Sequence, residues 1–264
     1  MKRVPSPSLL VVVNYAAARA RLAWPAIRET LAREGVRFEA HETRRAGDAR
    51  ERTRAALLEG YEMIASVGGD GTLSEVAAGF YESCEGLAEN EMPRPLNAEA
   101  TLAVLPAGTG DDFARGLGRG RRAVLAEWLQ RLVLYCRGEL DADAVRRVDL
   151  LSGSADAGAR RFLCINAATL GIGAEVAARV AAQGARLRRL PGEARFACAA
   201  LRALVAWRER RVRLRVGEAE WRECATNLIA VTNGAYAGGG MNFSPGARTD
   251  DGLLDVVTAC GLTR

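Results

Sequence analysis

The sequence predicts an α/β N-terminal domain built on a parallel sheet, followed by a C-terminal β-rich sandwich domain. Three observations carry this reading. Short apolar runs alternate with amphipathic helical stretches through the first half. Two of those runs feed glycine-rich turns that open helices. Beyond residue 136 strand patterns predominate, interrupted by one long helical region. A β-α-β-α order implies parallel strands with helices on both faces, because parallel neighbours need a crossover connection. The two domains are read as residues 1–144 and 145–264.

The elements follow in order. Residues 8–13 form a β-branched strand ending at Asn14. Residues 19–34 place Leu22, Ala26, Ile27 and Leu31 at helical spacing, closed by Gly35. Residues 36–41 alternate like a strand, and 48–58 are helical up to Gly60. Residues 63–67 are a strand entering Gly68-Gly69, and 72–81 a helix. Residues 82–100, with Pro93 and Pro95, read as a surface excursion. Then come a strand at 101–105, a glycine-rich loop, a helix from Asp112 and another at 123–136. In the second half 145–151, 161–167, 211–216, 227–232 and 253–258 read as strands. Residues 173–207 are helical, as two helices broken near Pro191-Gly192.

Composition removes whole classes of chemistry. The chain has 264 residues, 49% hydrophobic and 26% charged, the balance of a globular protein. No run approaches the ~20 apolar residues of a membrane span. The short apolar run after Met1 reads as a first strand, not a signal peptide. Lysine and arginine total 37, yet the only lysine is Lys2. That excludes a Walker A loop, a protein-kinase strand lysine and Schiff-base catalysis. With His41 as the only histidine, a Ser–His–Asp triad or His-rich metal site is not expected either. Six cysteines without a CxxC pair read as buried, reduced thiols in a cytosolic protein. A net charge of +5 permits an anionic partner without choosing one. What remains is chemistry of carboxylates, backbone amides, arginines and a hard metal ion.

Two segments carry that chemistry. The first runs through Gly68, Gly69, Asp70, Gly71, Thr72, Leu73, Ser74 and Glu75, between a strand and a helix. Glycines let the backbone approach a ligand closely, and a helix start offers unpaired N–H groups that suit phosphate. Asp70 could hold a metal ion, accept a proton or orient an amide. The plain alternative is an αβ turn capped by Thr72. The second segment, Leu105 to Arg115, repeats the logic with Gly108, Thr109 and Gly110. There Asp112 reads as a cap for its own helix.

GGDGT followed by PAGTGDDFAR resembles the catalytic domain of diacylglycerol kinases, a family that includes bacterial lipid kinases, sphingosine kinases and ceramide kinases. GGDGT alone is shared with NAD kinases; the second loop points to the lipid kinases. The resemblance continues through Thr43, Arg147-Val148-Asp149-Leu150, Phe162 to Asn166, Gly238-Gly239-Gly240-Met241 and Pro245 to Asp255, nearly the whole chain in order. It implies an NAD kinase/diacylglycerol kinase-like fold and phosphoryl transfer from ATP, with Mg²⁺, to the hydroxyl of a diacylglycerol-like lipid. It places Asn14, Thr43, Gly68 to Glu75, Gly108, Thr109 and Asp112 at the nucleotide, with Asp70 as catalytic residue. It places Asp251 on magnesium with the carbonyls of Arg248 and Leu253, supported by Asp149. Read without the family, the Asp250-Asp251-Gly252 segment is a hairpin turn. The expected partner is a lipid at a membrane surface and not nucleic acid, the setting cytoplasmic and peripheral; a homodimer stays open.

This sequence departs from the family in places. The first loop, usually NP-x-SG, is Asn14-Tyr15-Ala16-Ala17-Ala18. Ser74 and Asp111 stand where the family usually has Asn, and Asp111 adds negative charge beside a polyphosphate. Bacterial members carry a late DGE segment whose Glu is the proposed base; this chain has none. That leaves three readings: a truncated chain, Asp70 as the base, or an impaired enzyme. The competing functions are an NAD kinase-like phosphotransferase and a catalytically weak nucleotide- or lipid-binding relative. Finally, Arg186 to Arg189 and Arg208 to Arg215 flank an apolar helix at 196–207. The preferred reading is a core helix with solvated arginines, the alternative a bilayer-binding face.

Overall fold

The computed structural model describes residues 9–84, 87, 91–140, 144–156, 158–183, 192–206, 208 and 210–260. The first half holds strands β1 (Leu9–Val13), β2 (Phe38–Glu42), β3 (Met63–Gly68) and β4 (Thr101–Pro106). Helices α1 (Ala18–Arg33), α2 (Asp48–Leu58) and α3 (Asp70–Gly79) connect them, and α4 (Asp112–Leu117) and α5 (Leu125–Cys136) follow. All pairings in this sheet are parallel, in the order β2-β1-β3-β4. The central strands β1 and β3 are buried at every position, as expected of strands covered on both faces.

Alternate residues of β1 serve opposite layers. Leu9, Val11 and Val13 pack with Trp24, Ile27 and Leu31 of α1 and with Leu129, Leu132 and Val133 of α5. Leu10 and Val12 pack with Ala56 and Leu57 of α2 and Val76 of α3. The buried stripe of α1 is Ala20, Trp24, Ile27 and Leu31. The expected stripe was wrong at two positions. Leu22 is 78% exposed and Ala26 is exposed, because Trp24 takes the core-facing side. Helix α3 begins at Asp70, two residues before the expected start, so Thr72 lies inside the helix and does not cap it.

The second half is antiparallel. It comprises β5 (Leu151–Ala155), β6 (Arg160–Cys164), β7 (Ala167–Gly171), α6 (Ile172–Ala181), α7 (Gly192–Ala206), β8 (Arg210–Leu214), β9 (Arg222–Thr232), β10 (Tyr236–Ala237), β11 (Met241–Asn242) and β12 (Asp255–Cys260). The long strand β9 organises it: β12 lies along one edge, and β8 and β7 share the other. β5 and β6 form a separate hairpin, as do β10 and β11.

Four expectations shift here. The strand expected over 145–151 begins only at Leu151; Val148 and Leu150 instead pack against the interdomain cluster of Leu73, Ala77, Phe113 and Ile165. The strand expected over 161–167 divides into β6 and β7, which pair with different partners. The Asp250–Gly252 turn joins no hairpin, since β12 pairs with β9. Helix α7 buries Ala199 and Ala203 against α6 but leaves Leu201, Leu204 and Val205 exposed, so it is not a core helix. Pro191, Trp207 and the arginine run at 186–189 lie outside the described residues. The six cysteines were expected to be buried, but five are half-buried and Cys260 is exposed.

Asn233 ties the halves of this domain together. Its buried side chain donates to the carbonyls of Asp149 (2.8 Å) and Ile165 (2.9 Å). Asn233→Ala strands both acceptors and should destabilise the fold by about 1–3 kcal/mol. Urea unfolding should show a lower midpoint at an unchanged m-value. An unmoved midpoint would show that water replaces the amide without loss.

Candidate active site

The four parallel strands end on one rim. Asn14 follows β1, Thr43 follows β2, Gly69 follows β3 and Ala107 follows β4. β1 connects outward to β2 and the chain then crosses back to β3, so β1 and β3 flank the point where ligands sit in open α/β sheets. Asn14 bridges this point. Its amide donates to Thr72 Oγ1 at 2.8 Å, and its Oδ1 accepts the Ala17 N–H at 3.2 Å. Thr43 is pinned to the same rim by its N–H to the Val13 carbonyl, 2.9 Å.

The two glycine loops touch backbone to backbone. A Cβ on Gly108 would overlap Gly69 Cα, and one on Gly68 would meet Thr72 Oγ1 at 2.6 Å. Glycine is required at these positions for close approach, not for an unusual φ. Arg19 Nη1 donates to the Gly108 carbonyl at 2.9 Å, a contact with no local sequence signature. Behind the loops is a small cavity lined by Ser66, Gly68, Gly69, Asp70, Pro106 and Asp111, among others.

Asp70 orients amides. Its Oδ2 accepts the Asp112 N–H at 3.0 Å and its Oδ1 accepts the Phe113 N–H at 2.9 Å. It therefore caps α4 from another helix, the amide-orienting role among the three that the sequence left open. Asp112 does not cap its own helix. Its carboxylate crosses to the second domain and accepts the N–H groups of Gly239 (2.8 Å) and Gly240 (2.6 Å). Burial pushes the Asp112 carboxyl above the usual carboxylate range, opposed by those two amides. The remaining expected ligands divide. Glu75 accepts the Gly47 N–H at 3.0 Å and holds the turn before α2. Ser74 Oγ faces Cys164 Sγ at 3.9 Å, and Leu73 is buried in the interdomain cluster. Thr109 is exposed on the loop rim.

With α4 capped by Asp70, the open helix start of the two glycine loops is that of α3. Its N-cap, Gly69, brings no side-chain acceptor, so the first amides of α3 point toward the rim and suit an anion. The residues thus fit a phosphate group at α3, where Gly71 in the first turn faces open space.

The expected metal residues meet on one loop. Asp149 Oδ2 accepts the Gly252 N–H at 2.7 Å, and the Asp149 N–H donates to the Thr249 carbonyl at 2.6 Å. Asp251 Oδ1 accepts the Leu253 N–H at 3.0 Å. Asp149 therefore shapes the 249–253 loop that carries Asp251. Arg248 lies beside it, its guanidinium on Asp250 at 3.2 Å. Among the described residues no three acidic, His or Cys side chains are arranged so that they could hold a metal ion by themselves. A cation here would need backbone carbonyls, an all-oxygen set that suits Mg²⁺. His41, the lone histidine, sits on the edge strand 3.2 Å from Asp48 and outside this arrangement.

Asp111 has a left-handed φ of 51° and accepts the Gly108 N–H at 2.8 Å. Burial is the main cause that pushes its carboxyl up to about 6 from 3.8; the nearby Asp70 charge adds, while the Gly108 amide and Arg19 oppose. A carboxyl with a raised folded pKa holds its proton more tightly in the fold than in the unfolded chain. Its ionisation therefore costs stability as pH rises between those two values, and the cost persists above them. Asp111→Asn keeps the acceptor and the tolerance of positive φ but removes the charge. The variant should gain on the parent as pH rises from 4.5 to 7.5, reaching about 1 kcal/mol once solvent screening is allowed for. Melting temperatures should then differ by ~2–4 °C at pH 7.5. A difference that does not change with pH would refute the shift.

Comparison with known proteins agrees with this architecture. Residues 8–141 match the diacylglycerol kinase catalytic domain, and residues 168–264 match the YegS C-terminal NAD kinase beta sandwich-like domain. A protein of Pseudomonas aeruginosa named "Probable lipid kinase YegS-like" is 35% identical over 80% of this chain and 58% of its own length. One of the same name from Stenotrophomonas maltophilia is 32% identical over 84% of this chain and 64% of its own. The chain thus spans about three fifths of the length of these curated relatives. A solved structure described as a diacylglycerol kinase from Bacillus anthracis shares the fold, with a TM-score of 0.63 at 22% identity over 97% of this chain and 76% of that one. Family match, two-part architecture and paired glycine loops coincide, and the chain belongs to the diacylglycerol kinase catalytic domain family.

Proposed function

We propose that this chain belongs to an ATP-dependent lipid kinase that transfers the γ-phosphoryl group to the hydroxyl of a diacylglycerol-like lipid. The observation that carries the reading is the uncapped start of α3 at the β1/β3 switch point, where Gly71 leaves the first turn open. Its relatives' names supply the acceptor class. In this reading Asn14 and Thr72 fix the rim, Thr43 and Thr109 offer hydroxyls to the nucleotide, and the Asp149–Asp251 loop supplies oxygen ligands for Mg²⁺. Bound magnesium would neutralise charge on the transferred phosphoryl group. Asp70 enters as a positioning residue, because both of its oxygens already accept backbone amides.

The test is labelled ATP with Mg²⁺ and a panel of lipid alcohols in mixed micelles, with NAD included. It is run on this chain and on the full natural reading frame. Labelled lipid without labelled NAD is expected. Phosphorylated NAD without labelled lipid would move the protein to the NAD kinase reading. ATP binding without product in either form would mark a binding relative.

Asp70→Asn separates two roles. As a positioning residue it should lower phosphoryl transfer together with thermal stability, by about 1–3 kcal/mol for an amide left without its acceptor. Lost transfer at an unchanged melting temperature would instead assign Asp70 to proton transfer, worth ~10²–10⁴-fold in rate.

A further inference from the structure

The small cavity behind the glycine loops lies between the sheet and helices α3 and α4. Its volume is about 10 Å³, room for one water-sized occupant. Ser66, Asp70, Leu73, Val104, Asp111 and Ala114 are among its lining. Side chains alternate along a strand, so Ser66 points to the same face of β3 as Ile64, which clusters with Val76 of α3. That direction aims the Ser66 hydroxyl into the cavity. Ser66 is only 2% exposed, yet its Oγ has no hydrogen-bond partner among the described residues. A buried hydroxyl left without a partner in a polar recess marks the place of a water or an ion. Two carboxylates share the recess. Asp70 accepts two amides of α4, and Asp111 Oδ1 accepts the Gly108 amide at 2.8 Å. Each carboxylate still keeps lone pairs for a further partner. Arg19 offsets part of the Asp111 charge, but from an exposed position where it donates to the Gly108 carbonyl.

We propose that this cavity binds one dehydrated monovalent cation, held by the Ser66 hydroxyl and the carboxylates of Asp70 and Asp111. Charge and space favour this occupant. A water would bridge the same oxygens but leave two neighbouring negative charges in place, and like charges at short range disfavour joint ionisation. A cation between them favours the ionised form of both and gives the Ser66 oxygen a partner. A divalent ion such as Mg²⁺ keeps several waters of its own, for which a cavity of about 10 Å³ has no room. Asp111 stands where the family usually has Asn, so the second charge of the site is a departure of this sequence. The cation would sit behind the open start of α3 and add positive charge at the rim. The proposal does not rest on the kinase reading, because its test needs no nucleotide and no turnover.

The test is thermal unfolding of the chain in sodium, potassium or choline chloride at equal ionic strength and pH 7.5, with EDTA present to remove divalent ions. Choline is too large to enter the cavity and controls for screening. Two variants accompany the parent. Ser66→Ala removes one oxygen from the site, and Asp111→Asn removes a charge while keeping an acceptor for Gly108. Both should keep the parent's circular dichroism. A ligand that binds only the folded chain raises the melting temperature with its concentration. Sodium, potassium or both should therefore raise that of the parent by about 3–5 °C over choline once the cation reaches about tenfold its Kd. The rise should disappear in each variant. Two results would overturn the proposal. No rise in either salt would leave the cavity to water alone. A rise that either variant retains would place the cation elsewhere on the chain.

Discussion

The site depends on a chain of carboxylate-to-amide contacts. Asp70, at the start of α3, holds the first two amides of α4. Asp112, the first residue of α4, holds two glycine amides of the second domain. Helix α4 has only six residues and could not persist alone. It is kept by Asp70 at its open end and by burial of Phe113 and Ala114. The short helix therefore acts as a rigid link, and the position of the second domain is set from the GGDGT turn. The apolar contact of Leu73, Ala77, Phe113 and Ile165 reinforces the same junction from behind.

This arrangement places Asp70, Asp111 and Asp112 close together at a rim suited to anions. Each carboxylate is matched locally: Asp70 by two amides of α4, Asp111 by the Gly108 amide, and Asp112 by two glycine amides. Hydrogen bonds to charged groups are the stronger kind, and backbone amides give them without ordering a long side chain. The compensation is incomplete for Asp111 and Asp112, whose carboxyls burial pushes upward. Of the two glycine turns, that of α3 keeps a helix start with no side-chain acceptor. The division of labour between two similar turns follows: one helix start is occupied by Asp70, and the other is open.

Much of the fold was legible because it rests on local pattern. β1 and β3 are runs buried on both faces, and α2 is found at its expected bounds. The parallel sheet followed from element order alone. Misreadings arose where long-range contacts override local pattern. In α1 the aromatic Trp24 takes the core position that spacing assigned to Leu22. The segment before β5 looks like a strand but packs through Val148 and Leu150 against the other domain. The rim residues were legible as a set, since strand–glycine–helix turns announce them. Their individual roles were not. Asp70 acts on residues 42 and 43 positions away, and Asp112 on partners more than 120 positions away. No local signal encodes such partners.

Gly238, Gly239 and Gly240 show what a site signal looks like when its function is indirect. All three have positive φ, at 69°, 90° and 103°. Other residues adopt such a run only at a cost in strain. The run turns two successive N–H groups onto one carboxylate, that of Asp112. The third glycine also leaves room for Arg115, whose guanidinium carbon would lie 3.1 Å from a Cβ on Gly240. Any other residue there would push on the guanidinium that helps offset the Asp112 charge. The triple glycine lets the second domain grip the helix that Asp70 holds.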